Sequence, residues 1–338
     1  MTRTLVIDGN YLLKRGSKGA KHLIFNGNNM GGLYQFIITV KMMINKTNPD
    51  KCIIFWDGSN SKSYRRTFYP EYKANRDEIN EISNIKTDFE LQKSKCQFYC
   101  EELYLRQFTD ENSEADDCIA YYCQNTPNEK KFVYTNDRDI LQTIDDNTEV
   151  YLADKRDFIG NKNWSKYLEY HYKNVSLIKT LTGCSSDNVA GVYGMGEPTL
   201  FKFFPELKTE EKTLDWVMVR GKELLPESRG RDASVLRNLI NGKSKHGVLG
   251  ETLYVVNDKI VNLKNPLITE EVKERLSDEL IDGVLSPDGR EYKILMKQMI
   301  EDGVYSYMPQ SDSGFIDFFR PFYMVMERET KLYKQATK

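Results

Sequence analysis

Four short apolar segments alternate with helical patterns in the first half of the chain, and this alternation limits the possible folds. Each segment is rich in β-branched or aromatic residues: TLVID (4–8), KCIIFWD (51–57), KKFVYT (130–135) and TEVYLA (148–153). Helical patterns lie between them at 31–47 and 113–126. Strands that alternate with helices predict an α/β fold, with a central, mostly parallel sheet flanked by helices.

The composition is typical of a folded protein in aqueous surroundings. Of the 338 residues, 40% are hydrophobic and 29% are charged. No apolar run approaches the roughly 18 residues that a membrane span needs, so no membrane contact is expected. The N-terminal MTRTLVIDGN enters a strand pattern without an apolar signal-peptide core, so we expect a cytoplasmic protein. The six cysteines lack C-x-x-C spacing, which predicts neither a zinc site nor a disulfide framework.

A change of pattern near residue 180 divides the chain into a predicted α/β core at 1–180 and a mainly helical region at 181–338. Within the core, the charged stretch 77–106 predicts a projecting pair of helices. In the second region, TLYVVNDKIVNL (252–263) predicts a small hairpin, and 226–247 is basic and loop-like in parts.

The segment KSYRRTFYPEYKANR (62–76) combines positive charge with aromatic rings. It carries five basic residues against one Glu, with three tyrosines and one phenylalanine between them. Basic and aromatic side chains together are typical of surfaces that bind phosphate backbones and stack on bases. A solvated surface loop is the alternative interpretation of this segment alone.

Acidic residues follow three of the predicted strands. Because ligands bind at the carboxyl ends of strands in an open parallel sheet, these acids are expected to meet at one edge. The candidates, with the EADD segment and a later Asp, are Asp8, Asp57, Glu114, Asp116, Asp117, Asp137, Asp139 and Asp187.

Such a cluster repels itself unless cations bind it. Oxygen ligands favour Mg²⁺, and Mn²⁺ can substitute for it. Two ions about 4 Å apart would form a clamp for phosphoryl transfer. Only three histidines are present, and they are scattered, which disfavours zinc. The i, i+3 spacing of Glu114 and Asp117 places them on one helical face, with Asp116 directed towards Asp8 and Asp57.

The segment GVYGMGEPTLFKF (191–203) places Gly-x-Gly at the start of a helical pattern. Glycines let a backbone approach a phosphate closely, and backbone N–H groups there can bind it. The segment is not a Walker loop, because no Gly-Lys-Ser/Thr follows. It is not a dinucleotide fingerprint, because it does not follow the first strand.

Five segments in order resemble the 5′-nuclease or flap endonuclease superfamily, whose core is PIN-like: VIDGN, FWDGSNSKSYRRTFYPEYKANR, EADD, TNDRD and LTGCSSDNVAGVYGMGEPTL. Within it, the length and the lack of a polymerase domain are most similar to the T-even phage ribonuclease H type. The C-terminal third matches less clearly. A phage or bacterial origin fits the segments, with the host cytoplasm as the location if the source is a phage.

The resemblance implies roles for single residues. Asp8, Asp57, Glu114 and Asp116 would bind one metal ion, with Asp117 nearby, and Asp137, Asp139 and Asp187 would bind the second. Lys73 and Arg76 would be catalytic, at the base of a helical arch at about 73–106. Residues 183–203 would form a helix–hairpin–helix-like motif, with K⁺ bound there. The nucleic-acid contacts implied are Arg65, Arg66, Tyr72, Lys73, Arg76, Gly191, Gly194, Gly196 and Thr199.

Two positions depart from the family pattern. Cys184 stands where relatives usually have Asp, which predicts weaker binding of the second ion. Glu197 follows the second glycine of the hairpin, where a basic residue is common, so the phosphate contact there is expected to be weaker.

The expected function is a metal-dependent 5′→3′ exonuclease and flap endonuclease that leaves 5′-phosphates. Its partners would be RNA–DNA primers and hybrids and flapped, nicked or gapped duplex DNA in replication. A single-strand-binding protein or sliding clamp is a further expected partner, and the protein is expected to be a monomer. The alternative is a structure-specific DNA-binding protein with weakened catalysis. A haloacid-dehalogenase-type phosphatase is disfavoured, because Asn10 replaces the second Asp of its Asp-x-Asp pair.

Overall fold

The computed structural model describes residues 1–20, 22–76, 85–283 and 292–336. A six-stranded sheet forms its centre, with strands β1 Arg3–Asp8, β2 Lys51–Trp56, β3 Arg106–Thr109, β4 Lys130–Thr135, β5 Thr148–Leu152 and β6 Asp157–Ile159. The spatial order is β3-β2-β1-β4-β5-β6. Neighbouring strands are parallel except β6, which runs antiparallel to β5. The four predicted strands and the α/β class are confirmed.

Helices cover both faces of the sheet. Those in the first 182 residues are α1 Gly9–Gly19, α2 Gly31–Thr47, α3 Ser61–Arg66, α4 Ile85–Glu102, α5 Ala115–Asn125 and α6 Val175–Thr182. The later ones are α7 Glu197–Phe203, α8 Leu214–Leu224, α9 Gly230–Ile240, α10 Glu251–Val261, α11 Glu270–Leu276, α12 Tyr292–Glu301 and α13 Asp312–Ala336. A π-helical turn, Ser277–Ile281, follows α11. No helix in these described ranges is long and apolar enough to span a membrane.

Two-residue strands form three small antiparallel pairs outside the main sheet: Ile24–Phe25 with Asn28–Asn29, Gly183–Cys184 with Val189–Ala190, and Lys243–Ser244 with Gly247–Val248. Short 3-10 turns connect other elements, and two of them, Arg138–Thr143 and Ser185–Asp187, carry acidic residues of the predicted metal sites.

Side chains of the central strands pack into two hydrophobic cores, one on each face of the sheet, because successive residues of a strand face opposite sides. Leu5 and Ile7 pack with α1, α2, α4, α12 and α13. Val6 packs on the other face with residues of α5 to α11. All six residues of β2 are buried, as expected for a parallel strand covered on both faces.

Residues beyond 180 take part in both cores. Phe319 and Phe322 of α13 are buried against the same layer as Leu5, and Leu236 of α9 is buried against the layer of Val6. The division near residue 180 therefore does not separate two independent hydrophobic cores.

A buried ion pair holds α13 to the edge of the sheet. The Nε of Arg106, on β3, lies 3.0 Å from Oε1 of Glu329, and both side chains are almost fully buried. Nη1 of Arg106 also donates to the carbonyl oxygens of Glu279 and Gly283, at 3.1 and 2.8 Å. One guanidinium therefore links β3, the π-helical turn and α13.

The predicted hairpin at 252–263 is wrong, because these residues form α10. Its buried residues Leu253, Tyr254, Ile260 and Val261 recur at helical rather than alternating spacing. Two consecutive valines resemble a strand locally, but Val255 is exposed and only the helical face is covered.

The predicted arch at about 73–106 lies partly outside the described residues, which omit 77–84. The second half of that range does not project. Cys96, Tyr99 and Cys100 of α4 are buried in the core, and β3 already begins at Arg106. The basic segment 226–247 is also more ordered than predicted, since α9 occupies much of it.

Replacing Arg106 with Met should lower the free energy of unfolding by roughly 3–5 kcal/mol, because Glu329 would stay buried without a counter-ion. Urea denaturation measures the change. The double variant Arg106→Met/Glu329→Leu should recover most of the loss, since no uncompensated charge remains. A single variant within 1 kcal/mol of the parent would contradict the structural role of this pair.

Candidate active site

A cleft of about 280 Å³ opens at the carboxyl edge of the sheet. Strands β1, β2 and β4 end there, as the sequence predicts. Seven carboxylates line it: Asp8, Asp57, Glu114, Asp116, Asp137, Asp139 and Asp187. The predicted convergence of acids from separate strands is therefore confirmed.

Asp8 ends β1 and caps the N-terminus of α1. Its Oδ1 accepts a hydrogen bond from the N–H of Tyr11 at 2.9 Å, and its Oδ2 accepts one from the hydroxyl of Thr135 at 3.1 Å. Burial, together with the nearby Asp57 and Asp137, raises the pKa of Asp8 to about 7. Ionised Asp8 is therefore disfavoured until a positive charge enters the cleft.

Asp57 follows β2 and fixes the start of α5. Its Oδ1 accepts from the N–H of Ala115 at 3.0 Å, and its Oδ2 accepts from Nδ2 of Asn10 at 2.7 Å. The side-chain oxygen Oδ1 of Asn10 is buried in the cleft and has no hydrogen-bond partner among the described residues. An oxygen acceptor without a donor faces the carboxylate cluster here.

Glu114 is the N-cap residue of α5, and its carboxylate contacts two cations and a tyrosine hydroxyl. The amine of Lys73 donates to Oε1 at 2.8 Å, and the hydroxyl of Tyr72 donates to Oε2 at 2.9 Å. Nε of Arg65 lies 3.3 Å from Oε2. Burial would raise the pKa of Glu114, but Arg65 and Lys73 outweigh it and lower that pKa to about 2. Glu114 is therefore a permanent carboxylate.

Asp116 lacks this support. Burial raises the pKa of Asp116 well above its ordinary value, and the charges of Asp137, Asp8 and Asp57 add to that effect. Glu114 and Asp116 are two residues apart at the start of α5, and different surroundings give their carboxyl groups opposite pKa shifts.

The remaining acids come from two 3-10 turns. Asp137 caps the turn after β4, where its Oδ1 accepts the N–H of Asp139 at 2.9 Å. Burial and Asp137 raise the pKa of Asp139 to about 6, against the lowering effect of an ion pair with Lys179. Asp187 ends the second turn, with its Oδ1 3.8 Å from the amine of Lys73.

Cys184 lies beside Asp187. Its thiol donates to Oδ2 of Asp187 at 3.1 Å, and the amine of Lys179 lies 3.8 Å from the sulfur. Burial raises the pKa of Cys184, so the thiol stays protonated near neutral pH. A neutral thiol therefore supplies a hydrogen bond to Asp187 at this position.

The donor set of the cleft fits hard divalent cations. Its lining supplies carboxylate and amide oxygens and contains no His or Cys. No three of the described acidic, His or Cys side chains are preassembled around one metal position. Asp57 and Glu114 accept hydrogen bonds from Asn10 and Lys73 instead. The pKa values of Asp8, Asp116 and Asp139 are raised because their ionised forms are unfavourable in this cleft. A bound cation would stabilise the ionised forms and lower these pKa values.

Arg65 and Tyr72 line the cleft and are bonded to buried acids, whereas Asp117 lies outside the cleft. The guanidinium of Arg65 is buried, pairs with Oδ2 of Asp117 and donates to the carbonyl of Ile260. Asp117 also accepts the N–H of Leu267 at 2.9 Å and does not line the cleft. Arg65 and Tyr72 thus have internal partners within the lining of the cleft, and their nucleic-acid contacts stay predictions. Asp117 has a cationic partner outside the cleft, and its place near a metal ion also stays a prediction.

The other predicted contact residues of the basic segment are Lys73, Arg66 and Arg76. Lys73 lies in the cleft with a left-handed backbone, φ 51°, and its N–H donates to the carbonyl of Asp187 at 2.8 Å. Arg66 is partly exposed, and its Nε donates to the carbonyl of Tyr72 at 2.8 Å. Arg76 ends a 3-10 turn, and its side chain lies outside the described structure.

Sequence reasoning missed several polar residues of this region. Asn10 and Lys14 line the cleft, and the amine of Lys93 donates to the carbonyl of Asp57 at 2.7 Å. Lys179 pairs with Asp139. One signal was available: Lys179 is the single charge in the apolar helix SLIKTLTG.

A second cavity, of about 490 Å³, lies at the predicted hairpin and is lined by residues between 182 and 196 and by Lys245. Gly191 has no room for a side chain, since an added Cβ would lie 2.2 Å from the carbonyl carbon of Thr182. Gly194 has φ +85°, a conformation that favours glycine. Gly196 caps α7, on which Glu197 is exposed and Thr199 is partly buried.

Comparison with known proteins assigns the family. The family described as "5′-3′ exonuclease, N-terminal resolvase-like domain" matches residues 3–172, half of the chain. The chain belongs to this family. Membership confirms the resemblance to the 5′-nuclease and flap endonuclease superfamily, and the protein is a 5′-3′ exonuclease.

Relatives and solved structures agree with this membership. The 5′-3′ exonuclease of Bacillus subtilis is 33% identical over 225 residues, covering 63% of this chain and 73% of the relative. DNA polymerase I of the same organism is 27% identical over 239 residues, covering 66% of this chain but 25% of the polymerase. A bacteriophage T5 D15 flap endonuclease, in complex with DNA and metal ions, has the same fold, with a TM-score of 0.61 and 17% identity over 96% of this chain and 99% of that one.

Asp8→Asn should stabilise the metal-free protein at pH 8 by on the order of 1–3 kcal/mol. Because burial raises the pKa of Asp8 from 3.8 to about 7, its ionisation weakens the fold as the pH rises through that range. Asn keeps one acceptor oxygen for the N–H of Tyr11 and caps helices equally well. Its NH2 group can donate to the hydroxyl of Thr135, which donates to Asp8 in the parent protein. Thermal unfolding with a chelator from pH 4 to 9 should show a gain above pH 7 that vanishes near pH 4. A pH-independent gain would exclude this cause.

Proposed function

We propose that the cleft binds two Mg²⁺ ions, replaceable by Mn²⁺, and hydrolyses phosphodiester bonds from 5′ ends as an exonuclease and flap endonuclease. The observation that supports this most is the meeting of seven carboxylates and Lys73 at the edge of the sheet. The substrates proposed are RNA–DNA primers and hybrids and flapped, nicked or gapped duplex DNA in replication. The T5 enzyme complex with DNA and metal ions supports both parts by analogy.

The carboxylates divide into two proposed ligand groups. Asp8, Asp57, Glu114 and Asp116 come from β1, β2 and α5 and would hold the first ion. Asp137, Asp139 and Asp187 come from the two 3-10 turns and would hold the second. Divalent ions there would lower the pKa of an attacking water and stabilise charge on the phosphate and the leaving 3′ oxygen.

Lys73 lies between the two ligand groups. Its amine is 2.8 Å from Glu114 and 3.8 Å from Asp187, one acid of each group. Burial lowers the pKa of Lys73, but the charges of Glu114 and Asp187 raise it more, so the amine stays protonated. A fixed positive charge at this point would offset charge that develops on the scissile phosphate, and we assign the same role to Arg76.

Three features hold Lys73 in place. Its backbone is left-handed, its N–H is bonded to the carbonyl of Asp187, and its amine is bonded to Glu114. Little reorganisation is then needed when the phosphate arrives, which is the condition for effective electrostatic stabilisation.

The duplex part of the substrate would lie against the glycine-rich hairpin. We propose contacts from Gly191, Gly194, Gly196 and Thr199, with K⁺ bound by backbone carbonyls, and a further contact from Arg66. We also propose that the protein is a monomer in the cytoplasm of a bacterium or of a phage-infected cell. Its proposed protein partner is a single-strand-binding protein or a sliding clamp.

The alternative of a DNA-binding protein with weakened catalysis is not favoured. It rested on Cys184, but the thiol donates a hydrogen bond to Asp187 and leaves the seven carboxylates of the cleft in place. The family relatives are themselves named exonucleases.

Asp137→Asn should abolish cleavage of a labelled 5′-flap substrate in Mg²⁺ or Mn²⁺ while DNA binding is largely retained. Asn keeps the acceptor that caps the following turn, so the fold should survive the loss of the negative ligand. A chelator should abolish cleavage by the parent protein in the same assay. Undiminished turnover of the variant would remove Asp137 from the site. Paired RNA and DNA flaps would rank the two substrate classes.

Lys73→Ala should slow single-turnover cleavage by on the order of tenfold or more, because a transition-state contact is lost. The matched control is Lys297→Ala, an exposed lysine on α12, which should cleave at the parental rate. Unchanged chemistry in Lys73→Ala, measured at saturating enzyme, would show that this amine only orders Glu114.

A further inference from the structure

Asn10 is a polar residue of the acidic cleft to which the proposed function gives no role. It lies in the first turn of α1, two residues after Asp8, and its side chain lines the cleft beside the carboxylates. Only 6% of the residue is exposed. Such a neutral amide needs a physical explanation, because a buried polar group costs free energy unless it is bonded.

Close packing of α1 against β2 brings Asn10 to the acids. Gly9 begins α1, and an added Cβ there would lie 2.7 Å from the ring of Trp56, the last residue of β2. A larger residue at this position would push the helix away from the end of the strand. Since Asp57 directly follows Trp56, the contact places Asn10 beside that carboxylate.

One hydrogen bond fixes the direction in which the amide of Asn10 points. Its Nδ2 donates to Oδ2 of Asp57 at 2.7 Å, and only the NH2 side of an amide can donate to an ionised carboxylate. The oxygen Oδ1 is attached to the same carbon and is therefore the atom that faces away from this bond. The N–H of Ala115 donates to the other oxygen of Asp57 at 3.0 Å, so both side chains have a defined orientation.

The oxygen Oδ1 of Asn10 is buried and has no donor in the part of the chain that the structure describes. Two amines of this region donate elsewhere, that of Lys73 to Glu114 and that of Lys93 to the carbonyl of Asp57. A buried acceptor of this kind weakens the fold until a donor or a cation contacts it. Amide oxygens, like carboxylates, are ligands for hard divalent cations.

An amide adds an oxygen to the cleft without adding charge. Seven carboxylates already line the cleft, and an Asp at position 10 would increase their mutual repulsion. The carbonyl dipole of Asn10 offers a cation an electron-rich oxygen and leaves the net charge of the cleft unchanged. The residue type at this position therefore suits a neutral ligand placed among charged ones.

We propose that Oδ1 of Asn10 is an additional oxygen ligand of the first divalent ion, beside Asp8 and Asp57. This assignment rests on the proposed function, because it adds a ligand to the first of the two ion sites. Through Nδ2 the same amide holds Asp57 in its orientation. One side chain thus positions a charged ligand and supplies a neutral one.

Removal of the amide is the first test. Mg²⁺ binding is measured by calorimetry, without nucleic acid, for the parent protein, for Asn10→Ala and for Asn125→Ala, whose exposed Asn lies at the far end of α5. Asn10→Ala should bind Mg²⁺ roughly ten- to a hundredfold more weakly, a loss typical of removing a group that supports a metal site. Asn125→Ala should bind Mg²⁺ as the parent does. An Mg²⁺ affinity of Asn10→Ala equal to that of the parent would overturn the proposal.

Asn10→Cys separates a ligand from a residue that only orients Asp57. Thiolates prefer softer ions such as Cd²⁺, and the six native cysteines are buried. Mg²⁺ affinity should fall as in Asn10→Ala, whereas Cd²⁺ affinity should equal or exceed that of the parent, with the ultraviolet absorption of a cadmium–thiolate bond. Excess Mn²⁺ should remove this absorption, since both ions use the same acids. Equal losses for Mg²⁺ and Cd²⁺, without absorption beyond that of the parent, would refute the ligand role.

Thermal unfolding in the presence of a chelator checks that each variant folds, and the comparison of Asn10→Cys with the parent decides the matter if Asn10→Ala does not. Flap cleavage by the parent protein, run in parallel, tests the proposed function separately. A parent that cleaves and binds Mg²⁺, together with an unaffected Asn10→Ala, refutes only the role of Asn10. A parent that neither cleaves nor binds Mg²⁺ refutes the proposed function and this assignment with it.

Discussion

Repulsion among carboxylates at the carboxyl edge of the sheet is the constraint around which the neighbouring structure is arranged. Asp8, Asp116 and Asp139 have raised pKa values because they are buried close to other acids. Glu114 has a lowered pKa because Arg65 and Lys73 face it. The protein thus supplies enough positive charge to fold without neutralising the cluster. The remaining negative charge is what a divalent ion would bind.

Residues in the second half of the chain also hold the side chains and turns of the acidic cleft in place. Ile260, on α10, accepts a hydrogen bond from Arg65, the buried cation between Glu114 and Asp117. Asn257, one turn earlier, donates to the carbonyls of Thr180 and Ala190 at 3.0 and 2.9 Å, on either side of the turn that carries Asp187. One helix therefore positions elements of both proposed ligand groups, which gives the mainly helical region a role in the site itself.

Sequence reasoning located the acids because their placement follows a local rule. An Asp at the end of a parallel strand lies at the ligand-binding edge wherever that strand stands in the sheet. The same reasoning could not foresee that Arg65 and Tyr72 are buried against acids, since composition cannot tell a surface side chain from a buried one. Their partners, Asp117 and Glu114, are 52 and 42 residues away in sequence and meet them only in the folded chain. The helix at 251–261 was missed for a related reason, because its valines resemble a strand until the covered face is known.

The sequence by itself determined the α/β class, the four central strands, the acidic edge and the family, because strand patterns, turn residues and short segments are local properties. Only the tertiary structure decided which charges are internal and which remain available. Lys73 and Arg65 both line the cleft, but Arg65 is also paired with buried Asp117, and α4 returns to the core where an arch was expected. The physical reason is that burial and charge pairing depend on neighbours distant in sequence, and these set the pKa and the availability of each group.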